Sequence, residues 1–144
     1  MTQHILLPTG WSRPSGYSNG IATTGTQIYV AGQIGWDSSG RITRGDFLAQ
    51  TRQALQNIVA VLAVAHARPE HVVRLTWYVT SVAQYRQLAT ALGAVYREVM
   101  GNHYPVMTAV QVGALMEPDA LVEIEATAVL PAAAQDAPYT VASD

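Results

Sequence analysis

The order in which strand and helix patterns alternate is the strongest constraint that this sequence places on its fold. Alternating apolar residues predict strands at residues 21–23, 27–31, 72–80, 108–115 and 121–130. Apolar spacings of three and four predict helices at residues 47–66 and 82–100. Strands interleaved with two helices favour an α+β domain, in which one sheet carries both helices on one face.

Turn residues mark the connections between these elements. Thr24-Gly25-Thr26 lies between the first two strands and is typical of a hairpin connection, and residues 37–40 (DSSG) predict a second turn. Residues 131–144 show no periodic pattern and are predicted to form a C-terminal tail. No repeat or composition shift divides the chain, so we expect a single domain over residues 1–144.

The last two predicted strands carry apolar side chains on both faces, which is typical of a sheet that is covered on both sides. The two helices account for one covering layer. A chain of 144 residues does not supply a second layer. The sequence therefore predicts that copies of the chain associate through the face that the helices leave open.

Composition excludes several classes of function. Cysteine is absent, which removes disulfides, thiolate metal sites and a cysteine nucleophile. All eight basic residues are arginines, so no Schiff-base lysine or P-loop lysine is present. The net charge of -2 gives no basic surplus for binding phosphates, and we expect no nucleic-acid partner.

Two other signals are missing from the sequence. The four histidines form no HExxH motif or short-spaced pair with a carboxylate, which gives a zinc site little support. Residues 1–9 contain only a short apolar patch, interrupted by Pro8, with no basic residue before it. This pattern predicts neither a signal peptide nor a membrane span, and we expect a cytoplasmic location.

Glu123 and Glu125 are the strongest chemical candidates, because their spacing of two places both carboxylates on one face of a strand. One interpretation is a carboxylate that orients or deprotonates a water molecule. The other is a polar strand face that pairs with an arginine across a subunit interface. Gly32 and Gly35 also allow two interpretations: close backbone packing, or backbone N–H groups available to a ligand.

An ordered set of segments resembles the RidA (YjgF) family. The set consists of Tyr17-Ser18 before Gly20, residues 28–34 (IYVAGQI), Asp37 and Gly40, residues 50–57 (QTRQALQN), residues 72–79 (VVRLTWYV), Tyr104-Pro105 and residues 122–126 (VEIEA). The similarity covers about residues 12–130. It implies a chorismate-mutase-like fold, a homotrimer with a central barrel and small-molecule clefts between subunits. It also implies hydrolysis of reactive enamines or imines to ketoacids and ammonia, without a metal or organic cofactor.

The chain departs from the family pattern at the residue that would bind the substrate carboxylate. Deaminase-competent members carry an arginine two residues after the Tyr/Phe-Pro pair, and this chain has Met107 there. A thioether does not form the charge-assisted bonds of a guanidinium. Three further positions, which are serine, asparagine and cysteine in typical members, are alanine here: Ala31, Ala89 and Ala109. The resemblance therefore implies a more apolar pocket with a changed specificity.

The remaining pocket residues keep their family types. By resemblance, Glu123 would position the attacking water, Tyr17 would hydrogen-bond the substrate, and the Gly32 backbone would contact it. Met107, at the changed position, would contact the substrate through its shape and not through a charge. Arg13 is near Tyr17 in sequence and has two interpretations. It would replace the lost anchor from another direction, or it is a solvated loop arginine or an intersubunit salt bridge.

Two functions follow for this sequence. The first is a hydrolase for a reactive imine, enamine or related unstable metabolite, with Glu123 and Tyr17 as catalytic residues and Gly32, Met107 and Arg13 as substrate-binding residues. The alternative is a non-catalytic trimer that binds a small molecule or a protein partner. A ribonuclease activity, attached to some family members, is disfavoured because the sequence has no basic patch.

Overall fold

The computed structural model describes residues 3–132 and residue 139. Within these residues the strands are β1 (His4–Leu6), β2 (Gly20–Ala22), β3 (Thr26–Gln33), β4 (Val72–Val79), β5 (Val106–Gln111) and β6 (Val122–Leu130). The helices are α1 (Phe47–Val64), α2 (Val82–Gln87) and α3 (Ala89–Met100), with a short 3-10 helix at Pro69–His71. Apart from residues 131, 132 and 139, the predicted tail lies outside the described residues.

The main sheet has four strands in the order β3-β6-β4-β5. β6 pairs antiparallel with both β3 and β4, whereas β4 and β5 are parallel neighbours. Parallel neighbours need a long crossover, and helices α2 and α3 provide it between β4 and β5. The sheet is therefore mixed, and the α+β class predicted from the sequence is confirmed.

The helices pack on one face of this sheet, where the hydrophobic core lies. Leu55, Ile58 and Leu62 of α1 are fully buried, and Leu92 and Tyr96 of α3 join the same cluster. The sheet contributes alternate residues to this cluster, including Leu75, Trp77, Val79, Val122, Ile124 and Ala126. The period of two along β4 and β6 is what turns these side chains toward the helices.

The opposite face of the sheet is open in the single chain. Tyr29 of β3 is 71% exposed and Val110 of β5 is 42% exposed. Glu123, Glu125 and Thr127 of β6 alternate with the buried residues and are half-buried. The outer face is thus partly polar, and the predicted apolar character of both faces of residues 121–130 does not extend over the whole strand.

The predicted hairpin between the first two strands is wrong. β2 pairs with β1 in a separate two-stranded ribbon, with Ile5 opposite Ile21, and β3 pairs with β6. Gly25 has a φ of 145° and lies against the Leu130 carbonyl, so the chain turns away from the ribbon and enters the main sheet. The turn residues are present, but the eight-residue strand β3 gains far more pairing from β6 than from a three-residue neighbour.

Two other boundaries differ from the sequence prediction. The helix predicted at residues 82–100 is divided into α2 and α3, because Leu88 has a ψ of 14°, outside the helical range. The strand predicted at residues 108–115 begins at Val106 and ends at Gln111. Its end is set by its partner, because Gln111 pairs with Val79, the last residue of β4.

Gln50 fixes the entrance to β6. Its side chain is completely buried, and its Nε2 donates hydrogen bonds of 3.0 Å to the carbonyls of Thr43 and Asp119. Its Oε1 accepts one of 2.8 Å from the backbone N–H of Leu121. A buried amide with all of these partners holds two loops against α1, so the strand that carries Glu123 starts from a fixed point.

Candidate functional site

The Tyr17 loop is attached to the start of β5 by its neighbour Ser18. The Ser18 backbone N–H donates to the Pro105 carbonyl at 3.0 Å, and the Ser18 hydroxyl donates to the Tyr104 carbonyl at 2.7 Å. Ser18 also forms an isolated parallel bridge with Val106. These contacts bring the half-exposed Tyr17 ring to the same end of β5 as Met107.

A cleft of about 640 Å³ lies between the Tyr17 loop, strands β4 and β5, and helix α3; we call it the Met107 cleft. Met107 and Ala109 line it from β5, and Ala89 lines it from α3. All three are positions where the family resemblance leads us to expect a polar or reactive side chain. The structure therefore collects the main sequence departures in one place, and their combined effect is an apolar wall.

Tyr17 and Met107 also line a second cleft, of about 610 Å³, together with Tyr29 and Arg74. Arg13 lines a third cleft, of about 310 Å³, which it shares with Tyr17 and the N-terminal segment. Arg13 is not among the residues that line the Met107 cleft. Tyr17 is thus the residue common to all three clefts, and Arg13 and Met107 line different ones.

Glu123 and Gly32 form a second, separate constellation. The pairing of β3 with β6 shifts register between Val30 and Gln33, and Gly32 lies in this irregular stretch. The Glu123 carboxylate rests against Gly32 so closely that a Cβ atom there would overlap it. The glycine is required here for close approach, which supports the backbone-packing interpretation of the Gly32–Gly35 segment.

The two carboxylates of β6 differ in their partners. The Tyr78 hydroxyl donates a hydrogen bond of 2.8 Å to Glu125 Oε1, and this bond, with burial and the negative charge of both carboxylates, raises the pKa of Tyr78. Among the described residues, Glu123 accepts no hydrogen bond and forms no ion pair. Glu125 is therefore held in place by the protein, and the Glu123 carboxylate is available for another partner.

The predicted site residues fall into two groups within one chain. Tyr17 and Met107 lie together, and Glu123 and Gly32 lie together, but neither member of the second pair lines the Met107 cleft. Of the other predicted site residues, only Tyr17 lines the same cleft as Arg13. A site containing all the predicted residues is therefore not assembled among the described residues of a single chain.

Sequence reasoning missed one charged residue of the Met107 cleft, Arg97 of α3. The signal was Gly93, an unfavourable residue inside a helix, four positions before the arginine and hence on the same helix face. Trp77 also lines this cleft and is only 4% exposed, as expected for a core residue. Its indole N–H is buried and has no acceptor among the described residues.

No group of three or more histidine, aspartate or glutamate side chains in the described part of the chain lies close enough to hold a metal ion. The helices of the described residues are also too short or too polar to cross a membrane.

A four-stranded mixed sheet with helices on one face, and ligand-sized clefts beside a tyrosine loop, defines a class of small α+β proteins. The family model described as Endoribonuclease L-PSP matches residues 12–130. A RutC family protein of Pyrococcus horikoshii is 35% identical over 127 residues, which cover 88% of this chain and 97% of that protein. The chain belongs to this family, which is also known as the RidA/YjgF family.

Further relatives agree with this assignment. Human 2-iminobutanoate/2-iminopropanoate deaminase is 31% identical over 114 residues, which cover 78% of this chain and 79% of the human protein. The crystal structure of a conserved Rid family protein of unknown function from Yersinia pestis is similar with a TM-score of 0.77 and 36% identity. That similarity covers 90% of this chain and all of the Yersinia chain, so the fold is shared over nearly its full length.

Proposed function

We propose that this chain is a RidA-type hydrolase, which converts a small reactive imine or enamine and water into a 2-oxo compound and ammonia. Family membership supports the reaction class, and one relative bears the name of an imino acid deaminase. The observation that carries the proposal is the Glu123 carboxylate, which packs against Gly32 while its neighbour Glu125 is bonded by Tyr78. A carboxylate without a protein partner is suited to hold and deprotonate a water molecule.

The proposed reaction needs only water and proton transfer. Glu123 takes a proton from the water as its oxygen bonds to the imine carbon and the C=N electron pair moves to nitrogen. Glu123 returns this proton to the nitrogen, which gives the neutral carbinolamine. The proton of the carbinolamine hydroxyl then passes to the nitrogen, again through Glu123, as the C–N bond breaks, so that ammonia leaves and the oxygen forms the carbonyl. Tyr17 hydrogen-bonds the substrate nitrogen, and the backbone of Gly32 contacts the bound substrate.

The active site in this proposal lies between two subunits of a homotrimer. Within one chain Tyr17 and Met107 are separate from Glu123 and Gly32, and a second copy joins the two halves. The open sheet face, with the exposed Tyr29 and Val110, supplies the surface through which copies associate. Burial of such a face is a favourable contribution to subunit association.

Met107 changes the specificity of the proposed enzyme. Because a thioether forms no charge-assisted hydrogen bond, this position selects the shape of the substrate and not its carboxylate. Leu92 and Ala109 extend the apolar wall, which favours substrates with a larger apolar side chain than that of 2-iminopropanoate. Nucleic-acid cleavage is not part of the proposal, because the chain has no lysine and a net charge of -2.

Imino acids generated in the assay by an amino acid oxidase test the proposal. Hydrolysis is measured as the formation of 2-oxo acid and ammonia, with and without the protein, from alanine and from leucine. We expect acceleration for the imine from leucine and a weaker effect for the imine from alanine. Acceleration of neither imine at micromolar protein would overturn the hydrolase and leave the non-catalytic ligand-binding or partner-binding trimer.

The intersubunit arrangement has its own test. Light scattering should give about three times the 15.5 kDa chain mass. Glu123→Gln and Tyr17→Phe subunits, unfolded together and refolded as a mixture, should regain activity in about one quarter of their sites, because a random pairing unites two native halves that often. A monomeric mass, or mixtures as inactive as the separate variants, would contradict a site shared between copies.

A further inference from the structure

The Met107 cleft has one charged lining residue among those that the structure describes, and it is Arg97. The rest of the lining is apolar or carries neutral hydroxyl groups. An arginine in such surroundings attracts an anion more strongly than one among carboxylates, since nothing nearby neutralises it. The cleft thus combines an apolar wall with a single positive charge.

The Arg97 guanidinium forms no ion pair with the described residues. The ion pairs of the described residues join Arg41 to Asp37, Arg44 to Asp119, Arg52 to Glu98 and Arg68 to Glu70. Arg97 is absent from these pairs, although its neighbour Glu98 is engaged by Arg52. Its guanidinium therefore has donors available to a ligand.

Gly93 explains where the exposed side chain of Arg97 lies beside the cleft. A Cβ atom at Gly93 would lie 3.2 Å from Arg97 Nη1, so the guanidinium rests directly over the glycine. Glycine inside a helix is unfavourable, yet here it makes room for the side chain four residues later. Ala89, a further turn before it, is also small and lines the same cleft. Because Ala89 and Gly93 are both small, they leave a shallow groove on the surface of α3, and the Arg97 guanidinium lies in this groove over Gly93.

We infer that Arg97 is the anion-binding residue of the Met107 cleft, and that the cleft binds a small carboxylate with an apolar side chain. The inference rests on the proposed function, because it assigns the substrate class of the same site. Arg97 supplies the charge that Met107 lacks, from α3 and not from β5. The apolar body of the ligand then lies against Met107, Leu92 and Ala109, and the carboxylate lies over Gly93.

Calorimetric titration with 4-methyl-2-oxopentanoate, and with its primary amide as the neutral control, tests this assignment. The carboxylate should bind more tightly than the amide to the wild-type protein. Arg97→Gln should weaken binding of the carboxylate by about ten- to a hundredfold, the usual range for a lost charge-assisted hydrogen bond, and should leave amide binding unchanged. Arg86→Gln, at an exposed arginine of α2 outside the cleft, is the matched control and should change neither affinity.

Gly93→Ala provides a second variant that remains folded. The added Cβ displaces the guanidinium and should weaken carboxylate binding, while the better helix propensity raises the melting temperature by roughly 3–5 °C. Lower affinity together with higher stability is an outcome that a merely structural arginine does not produce. Arg97→Lys should fall between wild type and Arg97→Gln, since it keeps the charge and loses the planar donor pair.

The outcomes separate this inference from the proposed function. Arg97-dependent binding without hydrolysis of any imine would overturn the hydrolase and leave the anion site standing. Hydrolysis and carboxylate binding that are unchanged in Arg97→Gln would overturn the anion site alone. The anion site is likewise overturned if Arg13→Gln abolishes carboxylate preference and Arg97→Gln does not, or if the wild-type protein binds no carboxylate at millimolar concentration.

Discussion

The Met107 cleft and the Glu123 constellation contain different kinds of chemical group. The cleft has volume, an apolar wall and one arginine, but no carboxylate among its described lining residues. The Glu123 constellation has an available carboxylate packed on a glycine, and it does not line that cleft. In the proposed function the cleft binds the substrate and the Glu123 constellation transfers the proton, so this chemistry depends on bringing copies of the two regions together.

Substitution of Glu123 should have the largest effect on turnover, and Glu125 on the same strand face provides the control. Glu123→Gln keeps the shape of the side chain and removes the base, so turnover of the best imine should fall by about a hundred- to a thousandfold. The melting temperature and the mass of the proposed trimer should be unchanged, since Glu123 forms no hydrogen bond or ion pair with a described residue. Glu125→Gln is the matched control: the amide oxygen still accepts from Tyr78, and turnover should stay close to wild type.

The opposite pairing of results would reverse the assignment of Glu123. If Glu123→Gln dissociates the trimer or lowers its melting temperature while specific activity persists, the carboxylate is an interface group. Removal of one partner from a buried charge pair is strongly destabilising, and that is the signature to look for.

Met107→Arg tests whether the cleft has lost its anchor at position 107. The new guanidinium should raise kcat/KM for 2-iminopropanoate by about ten- to a hundredfold, because it restores a charge-assisted contact to the carboxylate. Met107→Leu, which conserves volume without charge, should leave kcat/KM nearly unchanged. Equal effects of the two substitutions would show that charge at this position does not reach the substrate.

Tyr78→Phe should produce the smallest effect. The substitution removes the hydroxyl that bonds Glu125 and leaves imine turnover unchanged, while thermal unfolding shifts downward by a few degrees at most. Tyr29→Phe on the same sheet face is a suitable reference, since its hydroxyl bonds Gln27 and neither carboxylate. A large loss of turnover in Tyr78→Phe would move the catalytic role from Glu123 toward the bonded pair.

The sequence predicted the local features of both regions. The spacing of two placed Glu123 and Glu125 on one strand face, and β6 has this alternation. The apolar spacing of three and four located α1 within two residues of its observed end. These predictions succeeded because strand and helix periods are properties of adjacent residues and hold wherever the element lies in the fold.

The tertiary structure decided which residues meet. The strand pattern alone does not separate Glu123 from Glu125, and only the family resemblance singles out Glu123. The structural difference between them is a hydrogen bond from the Tyr78 hydroxyl, 47 residues before Glu125. The hairpin prediction failed for a related reason: β2 and β3 are neighbours in sequence, but each pairs better with a distant strand. Arg97 gained its importance only when α3 was placed beside β5.

The sequence by itself determined the class of fold, the family resemblance and the residue types available for chemistry, since these follow from composition and from short repeating patterns. Only the tertiary structure divided the predicted site into the Met107 cleft and the Glu123 constellation, and only it placed Arg97 over Gly93. The physical reason is that strand register and helix packing are set by contacts between distant residues. A side chain acquires its partners from those contacts and not from its neighbours in the sequence.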